Sequence, residues 1–218
     1  MENLELIKKY FPDVTEEQID RFAVMCDLYP EWNAKINVIS RKDIDNLFVN
    51  HILHSLAIAR FLGPLAPGTS FMDLGTGGGF PGLPLAVMYP GCRFHLIDRI
   101  AKKLRVASDV VEKTGLNNVT FQHGDSGECR QKFDYVVSRA VMPLNELVKA
   151  AVRNVGNDTP KGNLYHNGIV CLKGGDLTEE SKGINYPVIE YPLNEFFAEA
   201  AYDTKKIIYI PVIRLKKK

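Results

Sequence analysis

The stretch of sequence that decides the fold is Ser70-Phe71-Met72-Asp73-Leu74-Gly75-Thr76-Gly77-Gly78-Gly79-Phe80-Pro81-Gly82. Its first five residues are mainly apolar and predict a short buried strand that ends close to Asp73. Glycines at positions 75, 77, 79 and 82 predict a tight loop whose bare backbone a ligand can approach. Residues 83–89 then predict a helix whose N-terminal N–H groups point at the loop. This order of elements is typical of a nucleotide-binding site.

Two cofactor classes fit the glycine spacing. Gly75, Gly77 and Gly79 give G-x-G-x-G, which is typical of S-adenosylmethionine sites, whereas Gly77, Gly79 and Gly82 give the G-x-G-x-x-G pattern of NAD sites. The NAD spacing would force Gly75 into the end of the strand, where glycine is a poor choice. The other spacing starts the turn directly after Leu74 and is therefore favoured.

A second strand follows the glycine loop and ends at a carboxylate. Residues 93–97 alternate as a strand does, and Asp98 comes about 20 residues after the glycines. A carboxylate in this place can accept hydrogen bonds from both ribose hydroxyls of an adenosine cofactor. Asp98 supports such a cofactor without distinguishing between the two classes.

Length and composition limit the number of domains and the kinds of protein that this sequence can encode. The chain has 218 residues, 45% of them hydrophobic, which fits one large domain or one domain with a small appendage. Its net charge of +1 does not indicate bulk attraction to nucleic acid. We find no signal peptide and no apolar run of the roughly 18 residues that a membrane span needs. Four scattered cysteines predict reduced thiols, no metal site and a cytoplasmic protein, which we expect to be a monomer.

The order of elements predicts two parts. Residues 1–66 form a helical extension in which Thr15 to Gln18 is a capping box, Pro30 kinks or ends the second helix, and Asp43 caps a third. Residues 67–218 alternate strands and helices, which predicts an α/β domain with a parallel sheet. Its later strands are expected at residues 119–122, 133–137 and 169–172, with a final antiparallel pair at 186–191 and 207–213.

Ligands of parallel sheets bind at the carboxyl ends of the strands. That rule collects one set of candidate site residues along a single edge, namely Asp73, Gly75, Gly77, Gly79, Asp98, Asp125, Ser126, Gly127, Arg139 and Lys173. If the cofactor donates a methyl group, the residues after the fourth strand face the acceptor. That tetrad, Ser138-Arg139-Ala140-Val141, is not the Asn/Asp-Pro-Pro-aromatic signature of amine methylases. No cysteine nucleophile lies on this edge, so an acceptor with a free lone pair, such as guanine N7, remains.

Two further groups of residues have open interpretations. His51 and His54 are spaced as half of a metal site, but no third ligand follows, and helix packing explains them as well. Trp32, Asn37 and Arg41 lie in a segment that mixes aromatic and polar residues before the third helix. That segment fits contact with RNA and packing between the two parts equally well.

The whole chain resembles the bacterial small-subunit ribosomal RNA guanine-N7 methyltransferase family, also known as glucose-inhibited division protein B. The motifs that carry the resemblance run in order from Trp32-Asn33, Ser40-Arg41 and His51 to Ser55, through Asp73 to Gly82 and Asp98, to Phe133-Asp134, Ser138-Arg139-Ala140 and Lys173-Gly174. It implies a class I S-adenosylmethionine-dependent methyltransferase fold, with a Rossmann-like seven-stranded sheet and an N-terminal helical extension. The implied reaction transfers a methyl group to N7 of a guanine in the decoding-region loop of 16S ribosomal RNA.

The resemblance also implies site residues. Cofactor contacts fall on Gly75, Phe80, Ser126-Gly127 and Arg139, and the substrate contacts that we expect are Asn37, Arg41, His51 and Lys173. The family usually has Glu where this chain has Gly127, so either the backbone, Asp125 or Glu128 contacts adenine. The alternatives are a methyltransferase for another substrate, or an rRNA-binding assembly factor with little turnover. An NAD oxidoreductase is the weakest, because no second substrate domain follows.

Overall fold

A seven-stranded sheet forms the centre of the computed structural model, which describes residues 2–40 and 43–213. The strand order is β3-β2-β1-β4-β5-β7-β6, and β7 runs antiparallel to both of its neighbours. The other pairs are parallel, so the predicted α/β sheet and its final antiparallel pair are confirmed. The strands are β1 (Ser70–Leu74), β2 (Arg93–Asp98), β3 (Val119–His123), β4 (Tyr135–Arg139), β5 (Gly168–Gly174), β6 (Ile189–Pro192) and β7 (Lys205–Pro211).

The described residues form six α-helices, which pack against the sheet: α1 (Glu2–Tyr10), α2 (Glu16–Asn33), α3 (His54–Leu62), α4 (Gly82–Met88), α5 (Ala101–Thr114) and α6 (Leu144–Ala151). The capping box of α2 is confirmed, because the backbone N–H of Gln18 donates to Thr15 Oγ1 and Gln18 Oε1 accepts from the N–H of Thr15. Of the two effects expected of Pro30, a kink or the end of this helix, the second does not occur. Proline removes only one backbone hydrogen bond, and the helix continues for a further turn to Asn33.

The predicted third helix is broken into three pieces. A 3₁₀ turn at Ile44–Asn46 and a π-helix at Phe48–Leu53 precede α3. Asp43 does not cap it, because its carboxylate accepts from Ser40 Oγ and Asn50 Nδ2 instead of from a backbone N–H. Single turns of π-helix are frequent at functional sites, and this one borders a cavity described below.

The fourth strand begins two residues later than predicted. The carboxylate of Asp134 accepts hydrogen bonds from the backbone N–H and the hydroxyl of Ser70, the first residue of β1. These bonds hold the chain beside the start of β1 before β4 begins. Arg139 is consequently the last residue of the strand, not a residue of the following loop.

One hydrophobic cluster joins the N-terminal helices to the sheet. Phe22 of α2, Leu56 of α3 and Phe71 of β1 belong to it, and all three side chains are fully buried. Met72, the next residue of β1, points to the opposite face and packs in a second cluster with Leu147 of α6. The helical extension therefore packs on one face of the sheet, on the same side as α4 and α5.

Candidate functional site

The carboxyl ends of the parallel strands lie along one edge of the sheet, since Leu74 pairs with Ile97, Asp98 with His123, and Arg139 with Leu172. Two cavities open at this edge, a larger one of about 990 Å³ and a smaller one of about 700 Å³. Both volumes lie within the range of small-molecule sites.

The glycine loop borders the larger cavity. Gly77 has a φ of +57°, and a Cβ built there would meet only the side chain of Lys103, at 3.9 Å, so its backbone is open to a ligand. A Cβ built at Gly75 would lie 2.6 Å from Cγ2 of Val141, so glycine is needed there for close packing. Gly79 lies outside the cavity lining, and a Cβ there would clash with Leu83 at 2.5 Å.

Asp73 is fully buried beneath the loop and does not line the cavity. Its Oδ2 accepts from the hydroxyl of Thr76 at 2.6 Å and from the N–H of Gly82 at 2.8 Å. The N-terminus of α4 is thus satisfied by Asp73, contrary to the expectation that it points at a ligand, and this helix has only seven residues. Burial raises the pKa of Asp73 to about 7, and its Oδ1 has no hydrogen-bond partner among the described residues.

Asp98 lines the larger cavity at the end of β2. Its Oδ2 accepts from the N–H of Gly77 at 2.7 Å, and its Oδ1 accepts from the N–H of Ile100 at 2.8 Å. Each carboxylate oxygen has two acceptor positions, so one position on each oxygen remains for a ligand hydroxyl. The predicted ribose contact fits this geometry, and Asp98 holds the glycine loop as well.

The turn after β3 is fixed by a second capping box. Asp125 Oδ1 accepts from the N–H of Gly127, while its Oδ2 forms an ion pair with Arg99. The Gly127 hydrogen bond, aided by Arg99, lowers the pKa of Asp125 below its usual value. Asp125 and Ser126 line the larger cavity, but Gly127 and Glu128 do not.

The N-terminal extension contributes two residues that sequence reasoning missed. Tyr29, fully buried in α2, donates a hydrogen bond of 2.7 Å to the carbonyl oxygen of Gly78, and its ring packs against Phe80. Val38 lines the larger cavity, and its Cβ would lie 3.1 Å from a Cβ built at Gly78. The hydrophobic pattern of the extension predicts that residues like Tyr29 are buried, but not which loop they reach.

Residues 139–142, which we call the dividing segment, line both cavities. Arg139 opens it, donating from Nη1 to the carbonyl oxygen of Asn50 at 3.0 Å and from Nη2 to His51 Nδ1 at 2.7 Å. Its guanidinium also lies over the ring of Phe80, 5.1 Å from the centroid. Arg139 forms no ion pair with Asp73 or Asp125 in the described part of the chain, and Asp125 pairs with Arg99 instead. Burial lowers the pKa of Arg139 to about 10, so it stays charged at neutral pH.

Two histidines line the smaller cavity, His51 from the π-helix and His54 from the first position of α3. Burial, and secondly the charge of Arg139, lowers the pKa of His51 to about 3 and holds the pKa of His54 well below its usual value. Both rings are therefore neutral at pH 7. Because Arg139 donates to Nδ1 of His51, the remaining proton of that ring lies on Nε2. No cluster of three metal-binding side chains is present within residues 2–40 and 43–213.

Lys173, for which we expect a substrate contact, lines the smaller cavity, and its ammonium already has partners within the protein. Its ammonium donates to the carbonyl oxygen of Met142 and to Glu180 Oε2, both at 2.7 Å. The side chain is only 11% exposed. Two of the three N–H donors of Lys173 are consequently used inside the protein.

The structure does not bring Asn37, another expected substrate contact, to either cavity. Asn37 is exposed. Arg41 lies outside the described residues. Trp32 donates from Nε1 to Asp109 Oδ2 at 2.6 Å, which links α2 to α5 and favours the packing interpretation of this aromatic residue.

All four cysteines are free, and none of them lines either cavity. Cys171 in β5 is 1% exposed, and burial raises the pKa of its thiol to about 12. It is therefore neither accessible nor ionised. In the part of the chain that the structure describes, no helix has the length and apolar character to cross a membrane.

The family described as rRNA small subunit methyltransferase G matches residues 17–182 of this chain. A protein from Bacteroides thetaiotaomicron named ribosomal RNA small subunit methyltransferase G is 53% identical over 207 residues, which cover 94% of this chain and 98% of that protein. Similar solved structures include a mutant of MtNAS in complex with S-adenosylmethionine, with a TM-score of 0.56, 14% identity and coverage of 96% of this chain and 83% of that one. Precorrin-6y C5,15-methyltransferase from Geobacter metallireducens has a TM-score of 0.52 and 17% identity, covering 80% of this chain and 90% of that one. At these identities the likeness shows the fold alone, and it confirms the predicted class I methyltransferase fold.

Proposed function

From the premise that the chain belongs to the rRNA small subunit methyltransferase G family, we propose that it methylates N7 of a guanine in the decoding-region loop of 16S ribosomal RNA. It is an S-adenosyl-L-methionine-dependent methyltransferase. The observation that carries the proposal is the pair of cavities that meet at the dividing segment. We assign the larger cavity to the cofactor and the smaller one to the acceptor base.

The residues of the larger cavity suit this cofactor. The open backbone of Gly77 allows close approach, and the free acceptor positions of Asp98 match the two ribose hydroxyls. Ile97 and Ile100 supply apolar surface for a purine ring beside Ser126. Because Asp125 and Glu128 are engaged in the capping box, the backbone near Ser126 is the better candidate for the adenine contact.

Methyl transfer to guanine N7 requires little from the protein beyond holding the cofactor and the guanine in the correct orientation. When bound, the cofactor supplies a methyl group already activated by a sulfonium centre. Guanine N7 attacks with a free lone pair and carries no proton, so no general base is required. This agrees with a smaller cavity whose histidines are neutral and with the absence of a cysteine from the described lining of both cavities. Orientation of the two reactants then provides most of the rate enhancement.

Arg139 is proposed to anchor a ligand at the junction. Two of its five N–H donors bind Asn50 and His51, which leaves three for a carboxylate or a phosphate. The guanidinium cannot act as a base, since it remains protonated. It also must not face the developing positive charge of the methylated ring closely, because like charges would raise the barrier. Anchoring is the role that remains.

We further propose that the protein acts as a cytoplasmic monomer on small-subunit particles and not on naked RNA. Its net charge of +1 offers little nonspecific attraction to phosphates, so a preformed RNA surface is needed for productive binding. Equal turnover on a bare stem-loop and on particles would contradict this part of the proposal.

The test uses the charge that methylation places on guanine. Particles from cells that lack the gene are incubated with the protein and S-adenosylmethionine, and their RNA is treated with borohydride and aniline, which cleave at 7-methylguanosine. We expect one cut in 16S RNA with the native protein and none with Asp98→Ala. Asp20→Ala, which removes an exposed carboxylate of α2, serves as the control and should leave the cut unchanged. Methyl transfer without cleavage would contradict N7 as the acceptor atom.

A further inference from the structure

We propose that Lys173 and Glu180 are positioning residues that hold the dividing segment at the correct place between the cofactor and the acceptor. This inference rests on the proposed function, since it assigns the two cavities to the two reactants. It gives Lys173 a role other than the direct substrate contact expected from the sequence. The sequence alone does not indicate any role for Glu180.

The contacts form a compact latch, by which we mean Lys173, Glu180 and the two backbone groups that they bind. Lys173 Nζ donates to the carbonyl oxygen of Met142 and to Glu180 Oε2, each at 2.7 Å. The same oxygen of Glu180 accepts from the backbone N–H of Leu144 at 2.8 Å. The latch therefore fixes the chain at the end of the dividing segment and at the first residue of α6.

The segment that the latch holds has an unusual backbone. Ala140 has a φ of +51° and is the only non-glycine residue with a positive φ among those the structure describes. A conformation of this kind persists only where the surrounding structure enforces it. Arg139 fixes the chain on one side through Asn50 and His51, and the latch fixes it on the other. Ala140 lines both cavities, so a shift of the segment would change the separation of the two ligands.

Because the latch is largely buried, we expect it to contribute more to the position of the dividing segment than to the stability of the fold. The Lys173 side chain is 11% exposed and that of Glu180 is 34% exposed. Removing two charges from water offsets much of their attraction, so such pairs contribute little net stability. Their hydrogen bonds nevertheless have fixed directions, and these directions define where Met142 and Leu144 lie.

The experiment compares steady-state kinetics of native protein, Glu180→Ala, Glu180→Gln and Lys173→Met on small-subunit particles. We expect kcat to fall about tenfold or more in Glu180→Ala and Lys173→Met, because an error of about 1 Å in placement costs up to 100-fold. The KM values for both substrates should change less than about threefold, in keeping with lost alignment and not lost binding. Glu180→Gln keeps an oxygen that can accept both hydrogen bonds, and we expect it to recover most of kcat.

The matched control is the ion pair between Lys206 and Glu190, which joins β7 to β6 at 2.6 Å and lines neither cavity. Lys206→Met with Glu190→Gln should leave kcat unchanged, and melting temperatures identify variants that do not fold. A native kcat in Lys173→Met overturns the proposal, and so does a raised KM for RNA alone, which would make Lys173 a direct substrate contact. Equal losses in the control pair would also overturn it. If the native protein methylates another acceptor atom, the proposed function fails. The same kinetic comparison on that acceptor still tests whether Lys173 and Glu180 position the dividing segment.

Discussion

The hydroxyl of Tyr29 lies 2.7 Å from the carbonyl oxygen of Gly78 and donates a hydrogen bond to it. The two residues belong to different parts of the chain, one to helix α2 of the extension and the other to the glycine loop. Tyr29 is fully buried, so the bond is shielded from water. The extension therefore supports the backbone that forms the wall of the larger cavity.

Tyr29→Phe should lower both the affinity for S-adenosylmethionine and the stability of the folded protein. The mutation leaves the buried carbonyl of Gly78 without its donor, which costs about 1–3 kcal/mol. The matched control is Tyr209→Phe, which removes a similar bond to the carbonyl of His166, at 2.8 Å and outside both cavities. Calorimetry and thermal denaturation should show lower melting temperatures in both variants and weaker cofactor binding only in Tyr29→Phe. Equal cofactor affinities would contradict the support of the loop by Tyr29.

Gly77→Ala should separate cofactor binding from folding. A left-handed backbone costs alanine about 1–2 kcal/mol, and the new methyl group would occupy the path of the ligand. Gly115 is a suitable control, because it has a φ of +64° and open space around it at the end of α5. Both variants should lose similar stability in denaturant unfolding, and only Gly77→Ala should lose cofactor affinity. A Gly77→Ala protein that binds the cofactor normally would refute the position of the ligand.

Asp73 should make stability depend on pH. Its pKa of about 7 in the folded protein exceeds the ordinary value of 3.8, so between about pH 4 and 7 the folded state binds more protons than the unfolded state. Stability from this group is therefore present at low pH and is lost as the pH rises through about 7. Asp73→Asn cannot ionise, so its melting temperature relative to the native protein should rise from pH 5 to pH 8. A constant difference over that range would show that the Asp73 pKa is not raised.

Arg139→Lys should reduce methyl transfer while the charge is kept. A lysine cannot reach both the Asn50 carbonyl and His51 as the guanidinium does, and losing one bond to a charged group costs about 1.5–3 kcal/mol. We expect kcat/KM to fall roughly 10- to 100-fold. Arg21→Lys alters an arginine that bridges Thr114 and Glu17 and lines neither cavity, so it should leave kcat/KM unchanged. A large loss of melting temperature with normal kinetics would assign Arg139 a structural role.

The sequence predicted those parts of the molecule whose signals are local. The apolar run before Gly75 and the alternation before Asp98 identified β1 and β2 at their exact bounds. The rule that ligands bind at the carboxyl ends of strands then brought Asp98 and Arg139 to the site. Both side chains line a cavity, although the individual ligand contacts stay predictions.

The features that sequence reasoning missed depend on distant partners. Tyr29 contacts a residue 49 positions away, and nothing in the pattern of α2 distinguishes this tyrosine from other buried residues. The sequence predicted that Lys173 lies at the carboxyl ends of the strands. Its pairing with Glu180 depends on the path of the intervening turn and was not predicted. The π-helix around His51 likewise has a distant partner, because Arg139 donates to the carbonyl oxygen of Asn50 within it.

Residues 139–142 are a common wall of the two cavities, so binding in one cavity can be linked thermodynamically to binding in the other. If occupancy of one cavity moves this wall, the affinity of the other changes by some factor, and the reverse effect must have the same size. A bisubstrate inhibitor that joins a nucleoside to a purine across Ala140 would engage both cavities at once. The second half of such a compound would then bind at the high effective concentration that its tether provides.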